Sequence, residues 1–205
     1  MSSGILAVVW DLGGVILRTF DRSARERWER QLGLEPWDLS RLVFNSEVSR
    51  KASAGQATID EVWSWVQGHL GLSNEDLAAL RRGFFAGDRL DEELLAYIRR
   101  LRPRYKTGMI TNAFPDLRRW LQDVWRIAAD FDQIVISAEE GLLKPDPRIY
   151  HLALDRLDVA PQQAVFVDDF AENVTGAQEA GMRAIQFRDT QQTIAELDAL
   201  LDGGG

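Results

Sequence analysis

The sequence contains no cysteine, which excludes a disulfide framework, a thiolate nucleophile and cysteine-ligated zinc. That absence fits any compartment and agrees with a reducing one. Histidine is scarce too: His69 and His151 are the two present, and both are read as packing or surface residues. Basic residues are outnumbered, with 24 Lys and Arg against 32 Asp and Glu and a formal net charge of −8. Such a balance argues against wrapping a phosphodiester backbone, which calls for clustered cations. It does not exclude a small phosphorylated ligand, where local groups decide. No apolar run is long enough to span a bilayer. Met1-Ser2-Ser3-Gly4 lacks the basic and long apolar segments of a secretory signal, so the expectation is a cytoplasmic protein with no membrane or nucleic-acid partner. The Asp202-Gly203-Gly204-Gly205 tail is expected to fray, and oligomeric state is left open.

What the chain does have is ordinary globular composition, 45% hydrophobic and 27% charged over 205 residues. That length suits one sizeable core, or one core with a small accessory unit. Ile5-Leu6-Ala7-Val8-Val9-Trp10 is an almost unbroken apolar run that ends in Asp11, followed by Leu12-Gly13-Gly14-Val15. A buried strand of this kind holds a charged oxygen at its rim, where a flexible backbone can curl around a ligand. The pattern recurs: Gly108-Met109-Ile110 ends in Thr111-Asn112, Ile134-Val135-Ile136 in Ser137, and Ala164-Val165-Phe166-Val167 in Asp168-Asp169. Open parallel sheets bind ligands beyond the carboxyl ends of their strands, so these polar endings are expected along one edge.

Between about Arg18 and Ala86 the short apolar runs give way to helical periodicity. Trp28, Leu32 and Leu34 mark one pattern; Leu39, Leu42 and Val43 mark another. Val62, Trp65, Val66 and His69 follow the i, i+3, i+4, i+7 rule, and Ser73 caps a helix through Leu77, Leu80 and Phe84. We read roughly four helices here, with Trp28, Trp37, Trp63 and Trp65 as core aromatics. Downstream, strands and helices alternate. Asp91 caps a helix through Leu101, and Lys106–Ile110 is a strand. Pro115 opens a helix with Leu117, Leu121 and Val124. A helix spans about Pro147 to Leu157, and Gly181 stops another before a last strand at Ala184–Phe187. The expected fold is α/β, a parallel sheet covered on both faces, with a helical segment after the first strand.

Each polar ending has a plain alternative. Asp11 before two glycines could open a turn, and Thr111 could simply end a strand. Lys144 before Pro145 could be a solvated loop lysine. Asp168-Asp169 could cap the next helix, with Asn173 exposed on it. Taken together and in order, however, Asp11-Leu12-Gly13-Gly14-Val15, Thr111-Asn112, Lys144-Pro145-Asp146 and Val167-Asp168-Asp169 with Asn173 resemble the four motifs of the haloacid dehalogenase-like (HAD) hydrolase superfamily. The resemblance covers essentially the whole chain. It implies a Rossmann-like three-layer core, residues 1–17 and 87–205, and a type 1 helical cap, residues 18–86.

It further implies Asp11 as nucleophile. Mg²⁺ would be held by Asp11, the Gly13 carbonyl and Asp169, with Asp168 and Asn173 arranging the water shell or the lysine. Lys144, Thr111 and the Asn112 amide would neutralise phosphoryl oxygens. The implied reaction is hydrolysis of a small phosphorylated metabolite, with a sugar phosphate among the options. Most phosphatases of the superfamily carry a second aspartate where Gly13 stands, and general acid–base help is worth about 10²–10⁴-fold. The 2-haloacid dehalogenases typically have a tyrosine there and work without metal. Dehalogenation, or a non-catalytic binding module, is the alternative. Arg41, Arg50 and Lys51 are candidate substrate-side cations, with solvated surface charge the plainer reading.

Overall fold

The computed structural model describes residues 4–202, so Gly203–Gly205 of the tail expected to fray lie outside the described residues. The strands are β1 (Ala7–Trp10), β2 (Leu17–Thr19), β3 (Asp88–Leu90), β4 (Lys106–Thr111), β5 (Gln133–Ile136), β6 (Ala164–Asp168) and β7 (Arg183–Gln186). Five of them form one sheet in the order β5-β4-β1-β6-β7, parallel at every pairing. Both faces of β1 are covered. Ala7 and Val9 point into a cluster with Ile149, Tyr150 and Phe166, while Val8 and Trp10 join Leu94, Ile98 and Leu197. A strand buried on both sides keeps its two-residue alternation yet reads as one continuous apolar run.

The helical segment holds α1 (Ser23–Gln31), α2 (Asp38–Asn45), α3 (Glu47–Ser53), α4 (Ile59–Leu70) and α5 (Asn74–Phe84). That is one more helix than expected, because Ser46 breaks the second pattern: its extended backbone ends α2 and its hydroxyl caps α3. Thr58 and Glu61 form a reciprocal capping box at the start of α4, and Ser73 caps α5 as expected. These helices enclose their own core of Leu39, Val43, Trp63, Val66, Leu80 and Phe84. The buried stripe of α4 is Val62, Trp63 and Val66, so two assignments are corrected. Trp65 is 37% exposed and stacks on the exposed His69 ring at 4.8 Å. Trp37 is 50% exposed, with the Arg22 guanidinium 3.4 Å from its ring centroid; a cation on one aromatic face substitutes for burial.

β2 and β3 pair antiparallel and bracket this segment. Two part-buried ion pairs pin the ribbon: Arg18 to Asp91 at 2.8 Å and Arg25 to Asp88 at 2.6 Å.

The sheet is sandwiched by the remaining helices. α6 (Glu92–Leu101), α7 (Leu117–Arg119) with a π turn at Trp120–Val124, and α11 (Thr190–Asp202) contribute to one face; α9 (Pro147–Leu157) and α10 (Ala171–Glu179) contribute to the other. α8 (Ser137–Glu140) follows β5 directly. Pro115 lies in a turn, and the helix begins at Leu117 instead. Leu121 is buried but Val124 is 55% exposed, since the wider π turn rotates Val124 off the inward face. The architecture is α/β and Rossmann-like, as expected. Among the described residues no helix is long and apolar enough to cross a membrane.

Candidate active site

β1 is central, and its neighbours β4 and β6 are reached by chain running in opposite directions from it. Such a reversal opens a crevice at the strands' carboxyl ends. Asp11 enters it directly after β1, with its N–H bonded to the Val167 carbonyl at 2.9 Å. β6 lies alongside in register, Trp10 opposite Val167, so Asp168 and Asp169 emerge beside Asp11. One carboxylate oxygen from each of Asp11, Asp168 and Asp169 lies within 4.8 Å of the others. Three anions that close need a cation.

Lys144 is one. It comes from the loop between α8 and α9 and is 5% exposed. Its ammonium reaches Asp11 Oδ1 at 2.8 Å and Asp168 Oδ2 at 2.6 Å. The Asn112 side chain fixes the backbone that carries it: Asn112 Nδ2 donates to the Lys144 carbonyl at 2.9 Å, and Asn112 Oδ1 accepts from the Lys144 N–H at 2.8 Å. This clamp was not read from the sequence, which pointed only to the Asn112 main-chain amide. No local pattern reveals a partner 32 positions away. Thr111, at the end of β4, is buried next to this pair.

Asp168 is fully engaged. Besides Lys144 it accepts from Asn173 Nδ2 at 3.0 and 3.1 Å and from the Phe170 N–H at 2.8 Å. Asn173 is itself buried, and its carbonyl accepts from the Tyr150 hydroxyl at 2.8 Å. Asp169 differs: its Oδ1 is buried without a hydrogen-bond partner. Desolvation is the main cause that pushes the Asp169 carboxyl up to about 6, with the Asp168 charge adding to it. Burial likewise pushes Asp11 up to about 7, against the lowering pull of Lys144 and with the help of Asp168 and Asp169. A buried carboxylate oxygen without a partner, inside a cluster carrying more negative charge than Lys144 balances, fits a divalent cation with oxygen ligands.

The glycine pair has two different roles. Gly14 has φ +81°, and a Cβ there would fall inside the Asp169 carboxylate. The loop curls so that Ile16 and Leu17 both donate to the Leu12 carbonyl, at 2.9 and 2.7 Å. Gly14→Ala is therefore expected to cost about 1–3 kcal/mol through left-handed strain alone, and to displace Asp169; denaturant unfolding measures the first. A Cβ at Gly13, by contrast, meets nothing within 4 Å. Packing does not forbid a side chain there.

The other candidates are at the surface or paired within their own helices. His69 and His151 are both exposed. Arg41 pairs with Asp38 in α2 and Lys51 with Glu47 in α3 at 2.7 Å, and Arg50 is exposed.

The model of the haloacid dehalogenase-like hydrolase family matches residues 5–181. Sesquiterpene phosphatase astK of Aspergillus oryzae is 30% identical over 98% of this chain and 99% of its own length. D-ribitol-5-phosphate phosphatase of Bacteroides thetaiotaomicron is 26% identical over 95% of this chain and 98% of its own. Among solved structures, a HAD family enzyme from Bacteroides thetaiotaomicron in complex with magnesium and inorganic phosphate superposes with a TM-score of 0.74, covering 93% of this chain and 99% of that one at 18% identity.

Proposed function

The chain belongs to the haloacid dehalogenase-like hydrolases, and on that premise we propose that it is a Mg²⁺-dependent phosphatase acting on a small phosphate monoester. The observation that carries this reading is the Asp169 carboxylate, within ion-sharing reach of Asp11 and with one oxygen buried without a partner, beside a buried lysine that already contacts Asp11. The relatives named above, a sesquiterpene phosphatase and a ribitol-phosphate phosphatase, share the phosphate and differ in the alcohol.

In this reading Asp11, Asp169 and the Gly13 carbonyl would hold Mg²⁺, which would offset the charge of phosphate and carboxylates. Asp11 attacks phosphorus: an O–P bond forms as the bond to the alcohol oxygen breaks, leaving an acyl phosphate on Asp11. The departing alkoxide takes its proton from water, because Gly13 offers no acid. Lys144 keeps Asp11 aimed and balances phosphoryl charge, held there by Asp168, Asn173 and the Asn112 clamp. Thr111 and the Asn112 N–H donate to the phosphoryl oxygens. Water then attacks phosphorus, releasing phosphate and restoring Asp11. We further assign residues 18–86 as a type 1 cap on a core of residues 1–17 and 87–205; the β2–β3 ribbon, standing at both boundaries, supports that division. Closure of the cap excludes bulk water.

Two measurements test the proposal. Phosphate release from acetyl phosphate should require Mg²⁺ and stop with EDTA; undiminished release in EDTA would remove the metal from the account. The second is thermal unfolding. Folded Asp11 and Asp169 hold protons more tightly than in the unfolded chain, whose ordinary value is 3.8. Stability of EDTA-treated protein should thus fall as pH rises from about 4 to about 7. Mg²⁺ takes the place of those protons, so it should raise the unfolding temperature clearly at about pH 8 and little at about pH 5. An equal gain at both would contradict the assigned ligands.

A further inference from the structure

We infer that the alcohol carried by the phosphate ester is an extended apolar group, seated on a rim of phenylalanines around the acidic crevice; this rests on the phosphatase reading above. Phe114 lies in the loop after Thr111, and Phe170 directly follows Asp169. β4 and β6 are the two neighbours of β1, so these rings stand in the loops on either side of Asp11. The helical segment adds two more. Phe44 of α2 stacks on Phe114 with centroids 6.3 Å apart and planes 19° apart, and it meets Phe85, beyond α5, at 6.4 Å.

Three of these rings remain open to solvent: Phe44 at 42%, Phe85 at 43% and Phe170 at 54%. Phe44 joins Phe85 to Phe114 across the helical segment and the core loop, and Phe170 stands exposed directly after Asp169; exposed aromatics gathered in this way mark a binding surface more than a packing defect. Small-molecule sites have this composition, apolar walls around a few convergent polar groups. Arg41 and Lys51 are each paired with a carboxylate of their own helix, Asp38 and Glu47. The side chain that α2 offers to the core loop is a ring. A polyol laid against phenylalanine would leave hydroxyls without partners, whereas an alkyl chain loses only water contact.

Calorimetric titration with two non-hydrolysable phosphonates, in the presence of Mg²⁺, separates the cases. Hexylphosphonate should bind at least about tenfold more tightly than methylphosphonate. Phe44→Ala and Phe170→Ala, in different elements, should each erase most of that preference, and the exposed Trp120→Ala, outside the rim, should not. Among substrates, hexyl phosphate should be favoured over sorbitol phosphate in kcat/KM. Equal binding of the two phosphonates, no binding of either, or preference for sorbitol phosphate would overturn the inference. The phosphatase reading has its own readout, phosphate release from acetyl phosphate that is lost in Asp11→Asn, and could stand while the apolar rim falls.

Discussion

Asp11→Asn is expected to lower phosphate release by about 10⁴-fold or more while leaving the protein folded. The amide is nearly isosteric but cannot form the acyl phosphate, so the chemical step fails and not substrate binding. Folding should survive for a reason visible in the site. Lys144 keeps Asp168 at 2.6 Å, and the variant removes the Asp11 carboxylate, whose burial already favours the neutral form. The unfolding temperature should stay close to that of the parent, or exceed it at alkaline pH in EDTA. Turnover near the parental rate would mean that another group attacks phosphorus. A collapse in stability would mean that Asp11 is a structural ion-pair partner first.

Lys144→Met is expected to produce the largest loss of stability. Its ammonium stands between two carboxylates, with side chains 1% exposed for Lys144, 8% for Asp11 and 0% for Asp168. Removing one member of a buried ionic group strands the others, at a typical cost of about 3–5 kcal/mol. For a chain of this length, about 2–4 °C per kcal/mol makes that a fall of roughly 10 °C. The sign of its pH dependence is fixed. Without the cation the Asp11 carboxyl, which Lys144 pulls down, favours protonation further, so the deficit should be greatest above about pH 7 and shrink as acid neutralises it. A pH-independent loss would point to lost packing against the Phe166 ring, 5.3 Å from the ammonium, instead of lost charge. Activity should fall as well, but a stability profile separates the two origins.

How far the sequence disclosed this arrangement follows from which interactions are local. Strands buried on both faces write themselves as apolar runs, and the residues that end them are fixed by chain direction. That is why Asp11, Thr111 and Asp168-Asp169 were legible as one edge. The supporting contacts were not, because each joins positions far apart: Asn112 with Lys144, Asn173 with Asp168, Arg18 with Asp91. The β2–β3 ribbon escaped for another reason, since three-residue strands such as Leu17-Arg18-Thr19 are too short to show a period. α11 carries a readable signal in Ile194, Leu197 and Leu201, all packed against the core. Trp65 and Trp37 show the reverse error. Hydrophobicity assigned them to a core, whereas stacking on His69 and Arg22 lets both stay at the surface. The stacked Phe44–Phe114 pair was invisible for the same reason as the clamp: helical segment and core loop meet only in three dimensions.

The most direct test of the central claim is to trap the covalent state. Acid-quenched protein, taken during turnover of acetyl phosphate with Mg²⁺, should carry one phosphoryl group on the peptide containing Asp11, and that peptide should be unmodified in Asp11→Asn. Steady turnover with phosphate on another residue, or on none, would contradict it.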